Sequence, residues 1–162
     1  MRISRTAPLP AGVEEVFAII ATTEHQRAKI TAAGAEGTAS VTEQVGGFTA
    51  VHAERVLPTR GMPGPVAAMV GDTLQVTEQQ TWRPAAADGS RTADLEITVG
   101  GVPVTLRGHV VLAPAAAGST MSVDADLRCS IPLMGRKIEE AARTPIEQSM
   151  DSEVRLLTER LT

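Results

Sequence analysis

The sequence has no tyrosine, two phenylalanines, one tryptophan and one cysteine. Proteins that hold single-stranded nucleic acid stack bases on aromatic side chains, and this chain has too few to build such a platform. Positive charge is not in excess either. Fifteen Lys and Arg stand against nineteen Asp and Glu, for a formal net charge of −4. Phosphate backbones are held by clustered cations, so no nucleic-acid partner is expected. Arg27, Arg55, Arg60, Arg83, Arg91 and Arg107 stand singly and read as solvated surface charges. The lone Cys129 has no partner for an internal disulfide, and a zinc site needs several more ligands. This suits a reducing cytoplasm. Cys129 lies in an alternating run, where it reads as a small core residue. Long apolar runs are also lacking. The stretch Val16 to Ala21 is short and follows Glu14 and Glu15 directly, which does not match a signal peptide. Nothing approaches the ~18 apolar residues of a membrane span, so no membrane insertion is expected.

What is present is the composition of a folded globule. Of 162 residues, 43% are hydrophobic and 21% are charged, enough to bury a core and too few residues for two comfortable domains. Residues 1–162 are therefore expected to form one domain.

Hydrophobic periodicity changes three times along the chain. Residues 1–7 alternate as a strand, and Pro8 and Pro10 are expected to break it. Val13, Val16, Phe17 and Ile20 then fall on one face of a helix, with Glu14 and Glu15 at the positive end of its dipole. Thr23 is placed to cap a second short helix through about Ile30. The middle of the chain reads as hairpins. Thr38 to Val45 alternates with Ala39, Val41 and Val45 on one face. Gly46-Gly47 makes a tight turn, and Phe48 to Leu57 returns. Residues 58–65 hold three prolines and two glycines and interrupt the sheet; Val66 to Val70 fits one helical turn. Four further strands follow, at 73–83, 91–99, 102–112 and 119–131. After Pro132 one apolar stripe runs through Ile138, Ala141 or Ala142, Ile146, Met150, Val154, Leu157 and Leu161. A helix from Leu133 to Leu161 is ~43 Å long, and Pro145 is expected to kink or break it near Arg143. Glu153, Arg155, Glu159 and Arg160 are assigned to its outer face. The expected fold class is α+β: about seven antiparallel strands curved around a long C-terminal helix, with two short helices after the first strand. The curved sheet and the single-striped helix are expected to leave an apolar cavity between them.

Two segments carry a family resemblance. Ala7-Pro8 through Val13-Glu14-Glu15-Val16-Phe17, followed by Thr23-Glu24-His25, resembles the opening of SRPBCC proteins, the START-like helix-grip superfamily. Ile131-Pro132-Leu133-Met134-Gly135-Arg136-Lys137-Ile138-Glu139 resembles the start of their C-terminal helix. The whole pattern is similar to an uncharacterised, mainly actinobacterial branch. The resemblance implies a helix-grip fold. Superfamily members include lipid and sterol carriers, hormone binders, polyketide aromatase/cyclases and co-chaperones, so it does not choose among activities.

Catalytic motifs are sparse. His25, His52 and His109 are far apart, with no metal spacing, so neither a metal nor a cofactor is expected. Gly-x-Ser-x-Gly is missing. On strand 73–83, parity places Val76, Glu78, Gln80 and Trp82 on the cavity side. Leu95 and Ile97, Leu106 and Val110, and Met121 and Val123 are assigned to the same wall from the next three strands. Ile138, Ala142, Ile146 and Met150 face them from the helix. A carboxylate among these apolar groups is expected to have a raised pKa unless Arg55 or Arg5 pairs with it. The leading expectation is a non-catalytic binder of a hydrophobic small molecule, such as a lipid, fatty acid, sterol or polyketide-like compound, acting as a monomer or homodimer. One alternative is a cyclase or dehydratase using Glu78 as acid/base, with Gln80 orienting a carbonyl. The other is a protein-interaction module presenting loop 58–65.

Overall fold

The structure is a computed structural model and describes residues 1–62 and 64–162. Pro63, within the expected proline-rich loop, lies outside the described residues. In chain order the elements are β1 (Arg2–Leu9), α1 (Val13–Ile20), α2 (Thr23–Ala32), β2 (Glu36–Glu43), β3 (Thr49–Pro58), α3 (Gly64–Val70), β4 (Thr73–Trp82), β5 (Arg91–Val99), β6 (Val102–Ala115), β7 (Gly118–Cys129) and α4 (Gly135–Leu161). The strands form one seven-stranded sheet in the order β1-β7-β6-β5-β4-β3-β2. Every neighbouring pair is antiparallel. This is the helix-grip architecture expected from the periodicity, with α4 packed on β1 and β7 and α2 on β2.

Alternation decides which face is dry. On β4, Leu74, Val76, Glu78, Gln80 and Trp82 are buried, while Thr73, Gln75 and Gln79 are exposed. β7 buries Met121, Val123, Ala125 and Leu127 in the same way. Trp82, the β7 side chains and Val13, Val16 and Ile20 of α1 belong to the main core, which Leu157 of α4 joins. Trp82 sits at its centre, fully buried, with Phe17 edge-on at 5.5 Å between ring centroids. The Arg91 guanidinium lies 3.9 Å from the centre of the Phe17 ring, so this arginine is a packing residue as well as a charge. A second cluster joins α3 to the start of α4 through Val66, Leu74, Val76, Val102 and Ile138.

Two glycines shape the frame. A Cβ on Gly108 would collide with the Asp124 carbonyl on β7, and one on Gly135 with the Cys129 carbonyl. Only a residue without a side chain lets β6 approach β7 this closely, or lets α4 start this tightly against the end of β7.

Several boundaries differ from the sequence reading. Pro8 does not end β1, because β1 is an edge strand and a missing N–H costs nothing on its open side. The cap of α2 is Thr22, not Thr23: its hydroxyl accepts from the His25 N–H. Val45 is not a strand residue; it opens the 3-10 turn Val45–Gly47 and is 97% exposed. α4 starts at Gly135 and runs unbroken through Pro145. Pro145 and Ala141, whose carbonyl lies four residues back, are both exposed, so water can satisfy the group that the proline leaves without a donor. Before α4 the chain turns through Leu133, which has φ of 65° and an exposed side chain.

Candidate functional site

The interior holds a buried polar chain that begins on β4. Alternate residues of one strand share a face, so Trp82, Gln80 and Glu78 form a row. Trp82 Nε1 donates to Gln80 Oε1 at 2.9 Å, and Gln80 Nε2 donates to Glu78 Oε1 at 2.7 Å. Arg55 reaches the other carboxylate oxygen from the neighbouring strand β3, with Nη1 2.9 Å from Glu78 Oε2. Lys29 of α2 approaches from above, its Nζ 3.1 Å from Glu78 Oε1 and 3.2 Å from Glu153 Oε2 on α4. His25, one turn earlier on α2, places Nε2 3.3 Å from Glu153 Oε1. The side chains of Lys29, Arg55, Glu78 and Glu153 are 10%, 14%, 7% and 13% exposed, so this is an interior cluster. It holds two cations and two anions, with His25 alongside. His25 is fully buried, and its Nδ1 has no hydrogen-bond partner among the described residues.

The electrostatics follow from the pairing. Burial pushes the Glu78 carboxyl up, but the Lys29 and Arg55 cations and the hydrogen bonds from Arg55 and Gln80 outweigh it. The result lies well below the usual carboxylate range. Burial likewise pushes Glu153 up, and Lys29 and the His25 hydrogen bond bring it down past its ordinary value. For Lys29, burial lowers the ammonium pKa while Glu153 and Glu78 raise it, with a net upward shift. The expected raised pKa at Glu78 is therefore replaced by a lowered one. Arg55 is its partner, as one reading of the sequence had it, and Lys29 is a second partner that reading did not include. Arg55 is correspondingly not a solvated surface charge. Glu153 does not decorate the outer face of α4; it turns in beside Leu157.

On the other side of α4 the arrangement is different. A cleft of about 80 Å³ lies between α4 and the edge of the sheet, lined by Arg5, Thr6, Ala7, Met121, Val123, Met150, Asp151 and Val154. At ~30 Å³ per water this is room for two or three waters, far below the ~300–1,000 Å³ of drug-sized pockets. Arg5 and Asp151 link β1 to α4 here at 2.9 Å, with both side chains exposed, at 43% and 61%. A broader open recess of about 550 Å³ lies on the outer face of the sheet, among Gln79, Thr81, Asp94, Glu96, Arg107 and His109. Its ionisable polar side chains are tied to one another: Arg107 to Glu96 at 3.0 Å and His109 to Asp94 at 3.1 Å. His52 pairs with Glu54 at 3.4 Å on this same solvent face of the sheet.

The residues assigned from sequence to the cavity wall divide among these regions. Glu78, Gln80 and Trp82 form the polar chain. Trp82, Leu95, Leu106, Val110, Met121 and Val123 are buried in the main core, with Ile97, Ala142, Ile146 and Met150 half-buried against it. Val76 and Ile138 belong to the second cluster. Of the set, Met121, Val123 and Met150 meet at the cleft. Sequence reasoning missed Lys29, His25 and Glu153. Signals for them existed: His25 and Lys29 are four residues apart on the α2 face that also carries Ile30, and Glu153 lies four residues before Leu157 on α4.

Comparisons with known proteins agree with this architecture. The family model described as "Protein of unknown function (DUF2505)" matches residues 4–161. An uncharacterized protein of Mycobacterium tuberculosis and one of Mycobacterium bovis are each 29% identical over 106 residues, 64% of this chain. The match spans 60% of the length of those relatives. Among solved structures, the Zhui aromatase/cyclase from a Streptomyces species superimposes with a TM-score of 0.63 at 13% identity, covering 99% of this chain and 92% of that one. A START superfamily protein from Mycobacterium smegmatis gives 0.62 at 13% identity, covering 99% of both. A STAR-related lipid transfer protein from Xanthomonas axonopodis gives 0.57 at 16%, covering 95% of this chain and 85% of that one. The chain belongs to the DUF2505 family of proteins of unknown function and has the START-like helix-grip fold.

Proposed function

We propose that this protein binds a hydrophobic small molecule between the middle of α4 and the inner face of β7, without itself catalysing a reaction. One observation carries the reading. α4 is fastened by buried apolar side chains near its two ends, Ile138 and Leu157, while Ala142, Ile146, Met150 and Val154 between them are only half-buried. Beneath Met150 and Val154 lies the cleft floored by Met121 and Val123. A ligand larger than a few atoms enters only if this middle stretch lifts. Lifting it gives up partial apolar contacts, and an apolar ligand restores them at ~25 cal/mol per Å² of buried area before ordering costs. Methionines at 121 and 150 suit such a wall, because their unbranched side chains repack around different shapes. The likeness to a lipid transfer protein and an aromatase/cyclase is consistent with an apolar ligand. Glu78 is committed to Lys29, Arg55 and Gln80, so the acid/base alternative has no free proton carrier at that carboxylate.

The test is titration of the protein with decanol, read by displacement of an apolar fluorophore. Saturable binding is expected, weakened about tenfold or more, ~1.4 kcal/mol, by Met150→Trp or Val123→Trp, which fill the cleft. Absence of saturable binding, or unchanged affinity in both variants, would sink the proposal.

A further inference from the structure

Resting on that reading, we infer that the ligand carries an anionic head group, which binds Arg5 at the mouth of the cleft in place of Asp151. β1 points Ile3 and Leu9 into the core. Arg5 shares their parity, so a guanidinium stands on the inward face of the strand beside a gap whose inner wall is apolar, with Thr6 and Asp151 as its other polar residues. It lines that gap together with Met121, Val123, Met150 and Val154. The cations nearest the sheet interior on the other side, Lys29 and Arg55, are largely covered and share Glu78, and Lys29 also holds Glu153. An anion that drew either of them away would strip a partner from a carboxylate held in the interior. Arg5 differs in the feature that matters: its partner Asp151 is 61% exposed. A carboxylate released there returns to water at little cost, and an incoming anion takes over a charge-assisted hydrogen bond from a planar donor suited to carboxylate and phosphate.

The exchange also explains how the cleft can open. Asp151 ties α4 to the edge strand beside the cleft, whereas Arg143, two turns earlier, donates to the Arg2 carbonyl away from it. A head group that takes Arg5 from Asp151 removes this tie, while its chain occupies the space under Met150 and Val154. The ligand class that satisfies both parts is a single-chain amphiphile with one anionic end. Carboxylate and phosphate heads share this chemistry.

The experiment compares decanoate, decyl phosphate and decanol on the wild-type protein and on Arg5→Gln, Arg5→Lys and Arg128→Gln. A preference of about tenfold for one or both anions over decanol is expected in the wild type. The ratio of the two anion affinities tells a carboxylate site from a phosphate site. In Arg5→Gln the anion-to-decanol ratio should fall to about one. Arg5→Lys should keep part of it, because charge remains but the planar fork is lost. Arg128→Gln, at a surface arginine paired with Asp126, should leave the ratio as in the wild type. Raising salt should erode the anion preference in the wild type, a readout that requires no variant to fold. Equal affinities for all three compounds, or a preference that survives Arg5→Gln and high salt, would overturn the inference while leaving apolar binding standing. Failure of every compound to bind would overturn both.

Discussion

The two flanks of α4 are built on opposite principles. Towards α2, the helix is held by Glu153, a buried carboxylate with two nitrogen partners that joins a charge cluster running down to β4. Nearer its start, α4 is also tied to the Met1 ammonium by Glu139 and to the Arg2 carbonyl by Arg143, but beside Glu153 the β1 side is held by Asp151, an exposed carboxylate with one arginine, over a gap. The two residues are two positions apart, roughly 200° around the helix, so they leave on opposite sides of the apolar stripe. A buried charge with several partners is expensive to separate, because each partner left behind faces low dielectric. An exposed pair is cheap to separate, because water replaces the partner. One flank is therefore a fixed hinge line and the other a separable edge.

The sharpest way to break this contrast is at Lys29. Lys29→Met leaves Glu78 and Glu153 facing each other with only Arg55 to neutralise them, and should cost about 3–5 kcal/mol of stability in urea unfolding followed by the fluorescence of Trp82. A loss under about 1 kcal/mol would mean that the α2 flank is no firmer than the surface.

Acid provides a second test of the same cluster. Glu78 and Glu153 have folded pKa values below their ordinary ones. Their contribution is complete above the ordinary value of about 4.3 and is lost as pH falls through the lower folded values. Lys29 is raised, so its contribution is complete below about 10.4 and is lost as pH rises through its folded value. Stability should be level in between as far as this cluster is concerned, and fall at both extremes. Glu78→Gln should flatten the acid fall; an unchanged acid limb in that variant would assign acid sensitivity to other groups.

A smaller effect compares the anchored and loose parts of α4. Leu157→Ala removes a fully buried side chain and should cost about 2–5 kcal/mol. Met150→Ala truncates a half-buried side chain that already borders a gap, and should cost less than half as much. Equal losses would show the middle of α4 to be packed as firmly as its end. The smallest effect is Arg5→Gln, which should change stability by no more than about 1 kcal/mol while altering ligand preference. A larger loss would make Arg5 a structural tie.

Much of the fold was legible because alternation and helical periodicity are local properties. The inward set of β4, the switch from period two to 3.6 after Pro132 and the hairpin at Gly46-Gly47 need only neighbouring residues to read. Errors arose where neighbours in space changed a local rule. Pro8 is tolerated because β1 lies at the sheet edge, and Pro145 because its side of α4 faces water. The site was less legible. Parity placed Glu78, Gln80 and Trp82 inside correctly, and Arg55 was one of the two partners considered. Lys29, His25 and Glu153 read as ordinary polar residues on helices, because nothing in their local sequence says which side of each helix is covered.

By itself, the sequence determined the order of elements, the dry and wet faces of the strands, and the presence of one carboxylate on the dry face, since each depends on backbone geometry repeating over two or four residues. Tertiary structure alone decided that α2 brings Lys29 onto Glu78 beside Arg55 of β3, which inverted the expected direction of the Glu78 pKa, and that α4 brings Glu153 onto the same lysine. It also decided that the space under α4 is a small cleft beside Arg5. Both outcomes depend on how closely separate elements approach. That distance is set by packing across the whole core, and residues more than a hundred positions apart in the chain, such as Lys29 and Glu153, take part in it.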